Sequence, residues 1–84
     1  MWVKVRYFLS ISEKAACSEE EVELEAGSRL RDLMDKVCQR YGIKELVSSC
    51  FITVNGKGAQ QLAGLDTKLR HGDVVSFMPP LSGG

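Results

Sequence analysis

The residues whose chemistry is easiest to assign lie at the end of the sequence: Pro79, Pro80, Leu81, Ser82, Gly83 and Gly84. Two glycines without Cβ atoms can bend freely and thread a narrow channel, whereas two prolines stiffen the base of the same segment. Such a tail is suited to presenting a terminal carboxyl group to the active site of another protein. The alternative is a frayed terminus without a role, because disorder concentrates at chain ends.

Other reactive side chains are few and scattered. Cys17, Cys38 and Cys50 are odd in number, widely spaced and outside any CxxC pattern, and His71 is the single histidine. This spacing argues against a disulfide framework and against a zinc site, so we expect no bound metal. The segment 56–58 (Gly-Lys-Gly) lacks the spacing of a phosphate-binding loop, and we interpret it as part of a turn.

Composition limits the remaining functions. The chain has 84 residues, 11 basic and 11 acidic side chains, and a pI near 6.6. A balanced charge argues against a nucleic-acid-binding protein, and this length predicts one domain without a deep catalytic cleft. No apolar run is long enough to cross a membrane, and the N-terminus lacks a signal-peptide pattern. The expected location is the cytoplasm.

The N-terminal part of the sequence predicts two strands. Residues 2–9 alternate, with Val3 on one face and Lys4 on the other, and Phe8 falls on the polar face. Residues 10–18 have no clear period and are interpreted as a connection. Residues 21–25 alternate strictly and form the second strand, which we expect to pair antiparallel with the first. The acidic run 19–21 is interpreted as a solvated strand face, with a docking surface as the alternative.

A helix is predicted next, beginning after an N-cap at Ser28. Its apolar stripe has helical spacing and comprises Leu30, Leu33, Met34, Val37, Cys38 and Tyr41. Gly42 suits the left-handed position that ends a helix, and Ile43 could pack back onto Cys38. Because Cys38 lies on the buried stripe, we expect it to be an inert packing thiol.

The C-terminal half predicts two more strands. Residues 51–54 lead into Asn55-Gly56, a dipeptide that favours a tight hairpin turn. Residues 59–68 are irregular, with Leu62 and Leu65 as expected apolar anchors. A turn at 71–73 precedes the last strand, 74–78, which the two prolines end.

These elements predict an α+β fold in which one main helix packs on a mixed sheet. If the first and last strands lie side by side in the middle of the sheet, the tail leaves from the sheet's centre. The order of elements, the Val-Asn-Gly turn at 54–56, the Leu-x-x-Gly-Asp-x-Val segment at 69–75 and the Pro-Pro-Leu-Ser-Gly-Gly end resemble the ubiquitin-like sulfur carriers of the MoaD/ThiS family. The resemblance covers essentially the whole chain and is strongest to the MoaD group.

The resemblance implies a ubiquitin-like β-grasp domain over residues 1–78 and a flexible Gly-Gly tail over residues 79–84. It also implies a mechanism in which the carboxylate of Gly84 is adenylated with ATP by a ubiquitin-activating-type enzyme (MoeB-like) and converted to a thiocarboxylate. The sulfur would then pass to a pterin precursor in the large subunit of molybdopterin synthase (MoaE-like). The carrier itself would bind no cofactor.

By position, the resemblance implies that Phe8, Leu62 and Met78 contact the partner. Strand parity agrees for two of them, since Phe8 lies on the Lys4 face and Met78 on the Ser76 face, away from the core. Partly buried sheet residues without a docking role are the alternative. Three other functions stay open: a ubiquitin-like modifier joined to proteins through Gly84, a carrier for thiazole or cysteine synthesis, and a plain interaction domain.

Overall fold

The computed structural model describes residues 1–42 and 49–79. In chain order its elements are β1 (Trp2–Tyr7), α1 (Ser10–Ala15), β2 (Glu19–Glu23), α2 (Leu30–Tyr41), β3 (Phe51–Val54), β4 (Lys57–Gly58), two 3-10 turns (Ala59–Gln61 and Gly64–Asp66) and β5 (Val74–Met78). The predicted contact between Ile43 and Cys38 lies outside the described residues.

The strands form one mixed sheet in the order β2-β1-β5-β3-β4. β1 pairs antiparallel with β2 and parallel with β5, and β5 pairs antiparallel with β3. The first and last strands are therefore neighbours at the centre of the sheet, which is the condition under which the tail leaves from the sheet's centre. This is a ubiquitin-like β-grasp architecture, with one main helix on one face.

The core lies between that helix and the inner face of the sheet. Val3, Val5 and Tyr7 of β1 point inward, whereas Lys4 and Arg6 are exposed, because successive side chains of a strand alternate between faces. The other buried apolar residues are Ile11, Ala15, Val22, Leu24, Leu30, Leu33, Val37, Val54, Leu69, Val75 and Phe77. Burial of a side chain of this size contributes about 1.5–3 kcal/mol.

The connection between β1 and β2 is a short helix, which corrects our interpretation of residues 10–18 as irregular. Ile11 and Ala15 lie four residues apart on one side of α1 and are buried. The helix ends at Ala16, whose left-handed backbone (φ 60°) lets its N–H donate to the carbonyl of Glu13 at 3.3 Å. Two apolar residues are too few for a periodic signal in the sequence. The helix is stabilised by the packing of Ile11 in the core, which the sequence alone does not show.

Leu9 links β1 to α1 in a backbone conformation that is rare for a residue with a side chain. Its φ is 54° and its ψ is −129°, a region that costs a non-glycine residue about 1–3 kcal/mol. The predicted strand 2–9 therefore ends two residues early, at Tyr7. The Leu9 side chain is 59% exposed, so burial of this side chain does not account for the unusual backbone.

The main helix has the predicted length but a different N-cap. Arg29 occupies the cap position, and its N–H donates to the carboxylate of Asp32 at 2.8 Å. Ser28, the predicted cap, instead donates its hydroxyl to the carbonyl of Glu25 at 2.7 Å. At the other end Gly42 adopts the expected left-handed conformation, and its N–H donates to the carbonyl of Cys38.

The Asn55-Gly56 turn is present as predicted, but Lys57 and Gly58, which we interpreted as part of the turn, form the short strand β4 that it joins to β3. Asn55 and Gly56 have φ values of 53° and 85°, which a two-residue hairpin turn requires. The Asn55 side chain also reaches β5: its amide donates to Asp73 Oδ1 at 2.9 Å and its carbonyl accepts the N–H of Val74 at 2.9 Å. One side chain thus fixes the start of β5 against β3.

The segment 59–68 forms two 3-10 turns, and its two leucines are not the anchors that the sequence predicts. Leu62 is 41% exposed and Leu65 is 45% exposed. Thr67 is buried instead, where its hydroxyl donates to the carbonyl of Gly64 and accepts the N–H of Ala63. Local hydrogen bonds therefore organise this segment more than apolar burial does.

Candidate functional site

The base of the tail is the end of β5, the strand between β1 and β3. Met78 ends the strand, and Pro79 follows it as the last described residue, half-buried. The predictions for Pro80, Leu81, Ser82, Gly83 and Gly84 lie outside the described residues. Hydrogen bonds from strands on both sides hold β5, so the point from which the tail departs is fixed relative to the rest of the domain.

A row of apolar side chains crosses the outer face of the sheet at this end. Met78 pairs with Phe51 in the antiparallel β3–β5 ladder. Phe8 follows Tyr7, whose partner Phe77 precedes Met78, so Phe8 and Met78 lie at the same end of neighbouring strands. We call Phe8, Met78 and Phe51 the apolar row. Phe51 is 52% exposed, and Phe8 and Met78 are half-buried.

Phe51 is the member of this row that the sequence analysis missed. Residues 51–54 begin with two adjacent apolar residues, which obscures the alternation, but Val54 faces the core while Phe51 is exposed. The signal was the parity of Phe51, which is shared with Thr53 and opposite to Val54. Its ring lies against Gly58 of β4, where an added Cβ would be 3.2 Å from Phe51 Cζ. Glycine at this position leaves room for the aromatic ring.

The three predicted contact residues are only partly brought together. The ladders place Phe8 and Met78 in one row, in agreement with their strand parity. Leu62 lies outside the strands, directly after the first 3-10 turn, and is exposed. Strand pairing therefore does not assign Leu62 to the row, and a contact between each of these residues and a partner stays a prediction.

Charged side chains border the apolar row on the outer face. The Arg6 guanidinium carbon lies 5.4 Å from the centroid of the Phe8 ring, a cation–π distance. Lys4 and Arg6 stand opposite Glu21 and Glu19 of the edge strand. The Arg6–Glu19 pair is separated by 3.9 Å and half-exposed, so it contributes little to stability. The surface thus grades from acidic at β2 through basic at β1 to apolar at β5 and β3.

On the inner face, Glu20 joins three elements through one carboxylate. The hydroxyls of Tyr7 and Tyr41 both donate to Glu20 Oε2 at 2.6 Å, and Arg40 Nη1 donates to Oε1 at 2.8 Å. Glu20 is therefore not part of the solvated face that we expected for residues 19–21. The network ties β2 and β1 to the last turn of α2.

The electrostatics of this network follow from its geometry. Partial burial by itself would raise the pKa of Glu20, but the hydrogen bonds from Tyr41 and Tyr7 and the charge of Arg40 together lower it. Burial and the neighbouring Glu20 carboxylate raise the pKa of Tyr41 to about 12 and raise the pKa of Tyr7 further. At neutral pH, Glu20 is ionised and both tyrosines are neutral donors.

Within residues 1–42 and 49–79, no cluster of three or more acidic, histidine or cysteine side chains could hold a metal ion. Burial raises the pKa of the Cys50 thiol to about 11, which keeps it protonated at neutral pH. Cys38 packs against the core, half-buried, as the helical stripe predicts. His71 Nδ1 accepts the backbone N–H of Trp2 at 3.0 Å.

Among the described helices, none has the length and apolar character needed to span a membrane.

The chain matches a family model, and its curated relatives include two that are matched over nearly their whole length. The model described as the ThiS family matches residues 5–84. The molybdopterin synthase sulfur carrier subunit of Mycobacterium tuberculosis is 36% identical, with 98% of this chain and 96% of the relative covered. The protein of the same description from Chlamydomonas reinhardtii is 31% identical, and 100% of each chain is covered.

The solved structures that resemble this one include the following three. Molybdopterin converting factor subunit 1 of Pyrococcus furiosus is 36% identical, with a TM-score of 0.82 and coverage of 96% of this chain and 99% of the other. A chain in the complex of subunits 1 and 2 of the Helicobacter pylori molybdopterin-converting factor is 31% identical (TM-score 0.73), with 100% of both chains covered. Small archaeal modifier protein 1 of Methanosarcina acetivorans is 26% identical (TM-score 0.87), with 99% of this chain and 96% of that chain covered.

Proposed function

The chain belongs to the ThiS family of ubiquitin-like sulfur carriers, and from this premise we propose that it is the small, sulfur-carrying subunit of a molybdopterin synthase. In this proposal the reactive group is the carboxyl of Gly84. The folded part of the chain docks on its partners and holds the base of the tail. The catalytic residues belong to those partners.

The chemistry begins from a carboxylate, which is a poor electrophile. A ubiquitin-activating-type enzyme transfers AMP from ATP to the Gly84 carboxylate and releases pyrophosphate, which gives an acyl-adenylate. A persulfide sulfur then attacks the acyl carbon and displaces AMP, and reduction of the resulting acyl disulfide by a thiol leaves a thiocarboxylate. The large subunit transfers this sulfur to the pterin precursor, and water returns the tail to a carboxylate.

One observation carries the assignment to this pathway: two relatives at 36% and 31% identity, matched over nearly their whole length, are molybdopterin synthase sulfur carrier subunits. The site is consistent with that role. The tail's base is fixed between two strands and lies beside the apolar row, and exposed apolar groups of this kind mark interaction sites on small domains.

The partners follow from the two steps. The adenylating enzyme (MoeB-like) supplies the nucleotide site, and the large subunit (MoaE-like) supplies the pterin site. A large-subunit partner is supported by the Helicobacter pylori structure, which is a complex of subunits 1 and 2. ATP serves the activating enzyme, and the carrier holds no cofactor of its own. The proposal places the carrier in the cytoplasm, where ATP is present.

Intact mass spectrometry of the protein purified from its own cells tests the proposal. We expect a species heavier by the replacement of one oxygen with sulfur, located by fragmentation at Gly84 and absent from cells that lack the adenylating enzyme. A second measurement adds this species to the large subunit and the pterin precursor and follows the loss of the thiocarboxylate. If sulfur stayed on the carrier in that mixture, the molybdopterin assignment would be wrong.

A second candidate is a ubiquitin-like modifier that is joined to lysines of other proteins through Gly84. It is favoured by the TM-score of 0.87 and 26% identity to small archaeal modifier protein 1. Both functions need the same activation, so the products distinguish them. Digestion of cell extracts would yield lysines linked to a Gly84 remnant in the modifier case, and such peptides without any thiocarboxylate form would reject the carrier.

A further inference from the structure

We propose that Leu9 is a specificity-determining contact residue, which the rim of the large subunit's tail channel covers when Gly84 is inserted. The inference rests on the proposed function, because it requires a partner that takes up the tail. Leu9 combines two features that are unusual together: a positive φ of 54° and a leucine side chain that is 59% exposed. Neither sequence position nor the resemblance pointed to it.

The turn at Leu9 serves the fold, but its leucine side chain does not. The backbone of this residue begins α1, since its carbonyl accepts the N–H of Ser12 at 3.0 Å and the hydroxyl of Ser12 at 2.6 Å. Those bonds use no atom of the leucine side chain. Glycine would make the same turn without strain, and an exposed leucine gains little from burial in the free domain. A folding role therefore explains the turn but not the leucine.

The position of Leu9 in the domain suggests why a leucine side chain is present there. Tyr7 pairs with Phe77 in the parallel β1–β5 ladder, and Leu9 and Pro79 each follow two residues later. Both lie at the end of the domain from which the tail departs. In strand parity Leu9 would belong with the core-facing Tyr7, yet it is exposed. The turn thus leaves an apolar side chain in solvent beside the base of the tail.

The length of the tail determines what must cover this region. Five residues follow Pro79 in the sequence, and five residues reach at most about 17 Å when fully extended. The entrance of any partner site that receives Gly84 therefore lies within about 17 Å of Pro79. We infer that the rim of this entrance reaches the end of the sheet, where Leu9 directly follows Phe8 of the apolar row.

The chemistry of the partner surface follows from these residues. A leucine side chain makes no hydrogen bond, so its complement is an apolar depression in the rim of the channel, continuous with the surface that meets Phe8 and Met78. Because the backbone of Leu9 is already held by α1, its position is set before binding, and little conformational freedom is lost on docking. Leu9 thus selects partners whose channel rim has an apolar pocket at that point.

Two substitutions separate this role from a structural one. Leu9→Gly removes the side chain and the strain, whereas Leu9→Ala removes most of the side chain and keeps the strain. We expect both variants to bind the large subunit about tenfold more weakly, measured by titration calorimetry. Thermal unfolding should show Leu9→Gly at least as stable as the original domain and Leu9→Ala no more stable than it. Trp2→Ala is the control, because Trp2 is 45% exposed at the opposite end of β1.

The outcomes are distinguishable from those of the proposed function. If the unaltered domain binds the large subunit and both Leu9 variants bind with the same affinity, this inference is wrong and the carrier assignment stands. If Leu9→Gly loses both affinity and stability, the side chain acts through the fold and the inference is likewise rejected. A domain that fails to bind the large subunit at all rejects both.

Discussion

The rings of Tyr7 and Phe77 stack with their centroids 6.1 Å apart and their planes at 12°. The two residues are partners in the parallel ladder between β1 and β5, and both are almost completely buried. Phe77 lies two residues before Pro79, so the packed core extends to the point from which the tail departs. The domain can therefore hold the base of the tail without contacts from the tail itself.

Deletion of Gly84 should abolish cofactor synthesis and leave the domain folded, because the core that ends at Phe77 needs no residue of the tail. The measurement is restoration of cofactor synthesis in cells that lack the native protein, together with thermal unfolding of the purified variant. A matched variant carries one extra residue after Gly84, which moves the carboxyl group and should be equally inactive. Activity in either variant would contradict the role of the Gly84 carboxyl.

Phe8→Lys and Phe51→Lys should each weaken binding to the large subunit by about 10- to 100-fold, because a charge replaces an apolar contact in the row beside the tail. The dissociation constants are measured by calorimetry, and thermal unfolding checks that the sheet is intact. Trp2→Lys places the same charge at the other end of β1 and should bind normally. Equal affinities for all three variants would remove the apolar row as a docking surface.

Glu20→Gln should lower the free energy of unfolding by about 1–3 kcal/mol at neutral pH, because it removes the charge that accepts hydrogen bonds from Tyr7, Tyr41 and Arg40. The pKa of Glu20 is lower in the folded state. Its stabilising contribution is therefore complete above the ordinary glutamate pKa of about 4.3 and is lost as the pH falls through the lower, folded value.

The measurement for Glu20 is urea unfolding over a series of pH values from neutral to about pH 3. The difference between the variant and the original domain should shrink toward the acidic end. Glu21→Gln is the control, since Glu21 is exposed on the outer face, and it should change stability little at any pH. A difference for Glu20→Gln that stays constant with pH would show that its charge is not the cause.

Asn55→Ala should destabilise the domain by about 1–3 kcal/mol, because it removes the hydrogen bonds to Asp73 and Val74 and leaves a Cβ at a positive φ. Asn55→Gly removes the same bonds without the backbone strain and should cost less. Urea unfolding of the two variants gives both energies. If Asn55→Gly were the less stable, unfolded-state entropy would outweigh strain at this turn.

The sequence predicted the elements whose patterns are long or chemically specific. The six-residue stripe on α2, the left-handed Gly42 and the Asn55-Gly56 turn are confirmed. The central pairing of the first and last strands, which the sequence left as a condition, is shown by the ladder. What it missed depends on tertiary packing. The parity that Glu20 shares with Val22 was the available signal that it faces inward, whereas its partners Tyr7 and Tyr41 come from other elements and could not be predicted locally.

The candidate site was predicted to a similar extent. Strand parity placed Phe8 and Met78 on the outer face, in agreement with the ladders. Phe51 was missed because the adjacent apolar residues Phe51 and Ile52 obscure the alternation of the strand, although the parity shared with Thr53 and the pairing with Met78 both place Phe51 on the outer face. Leu62 was expected both as an apolar anchor of the segment 59–68 and as a residue that contacts the partner. It is exposed, so the prediction of an anchor is wrong, and the contact with a partner stays a prediction.

The strand order also governs when this protein can fold during its synthesis. β1 and β2 form one pair and β3 and β4 another, and among the strands of residues 1–42 and 49–79, β5 is synthesised last and alone joins the two pairs. Two isolated strand pairs of this size are marginally stable at best. A nascent chain that stops before Val74 therefore has no complete sheet and is open to proteolysis. The complete sheet can therefore form only after translation has passed β5 and reached the base of the tail.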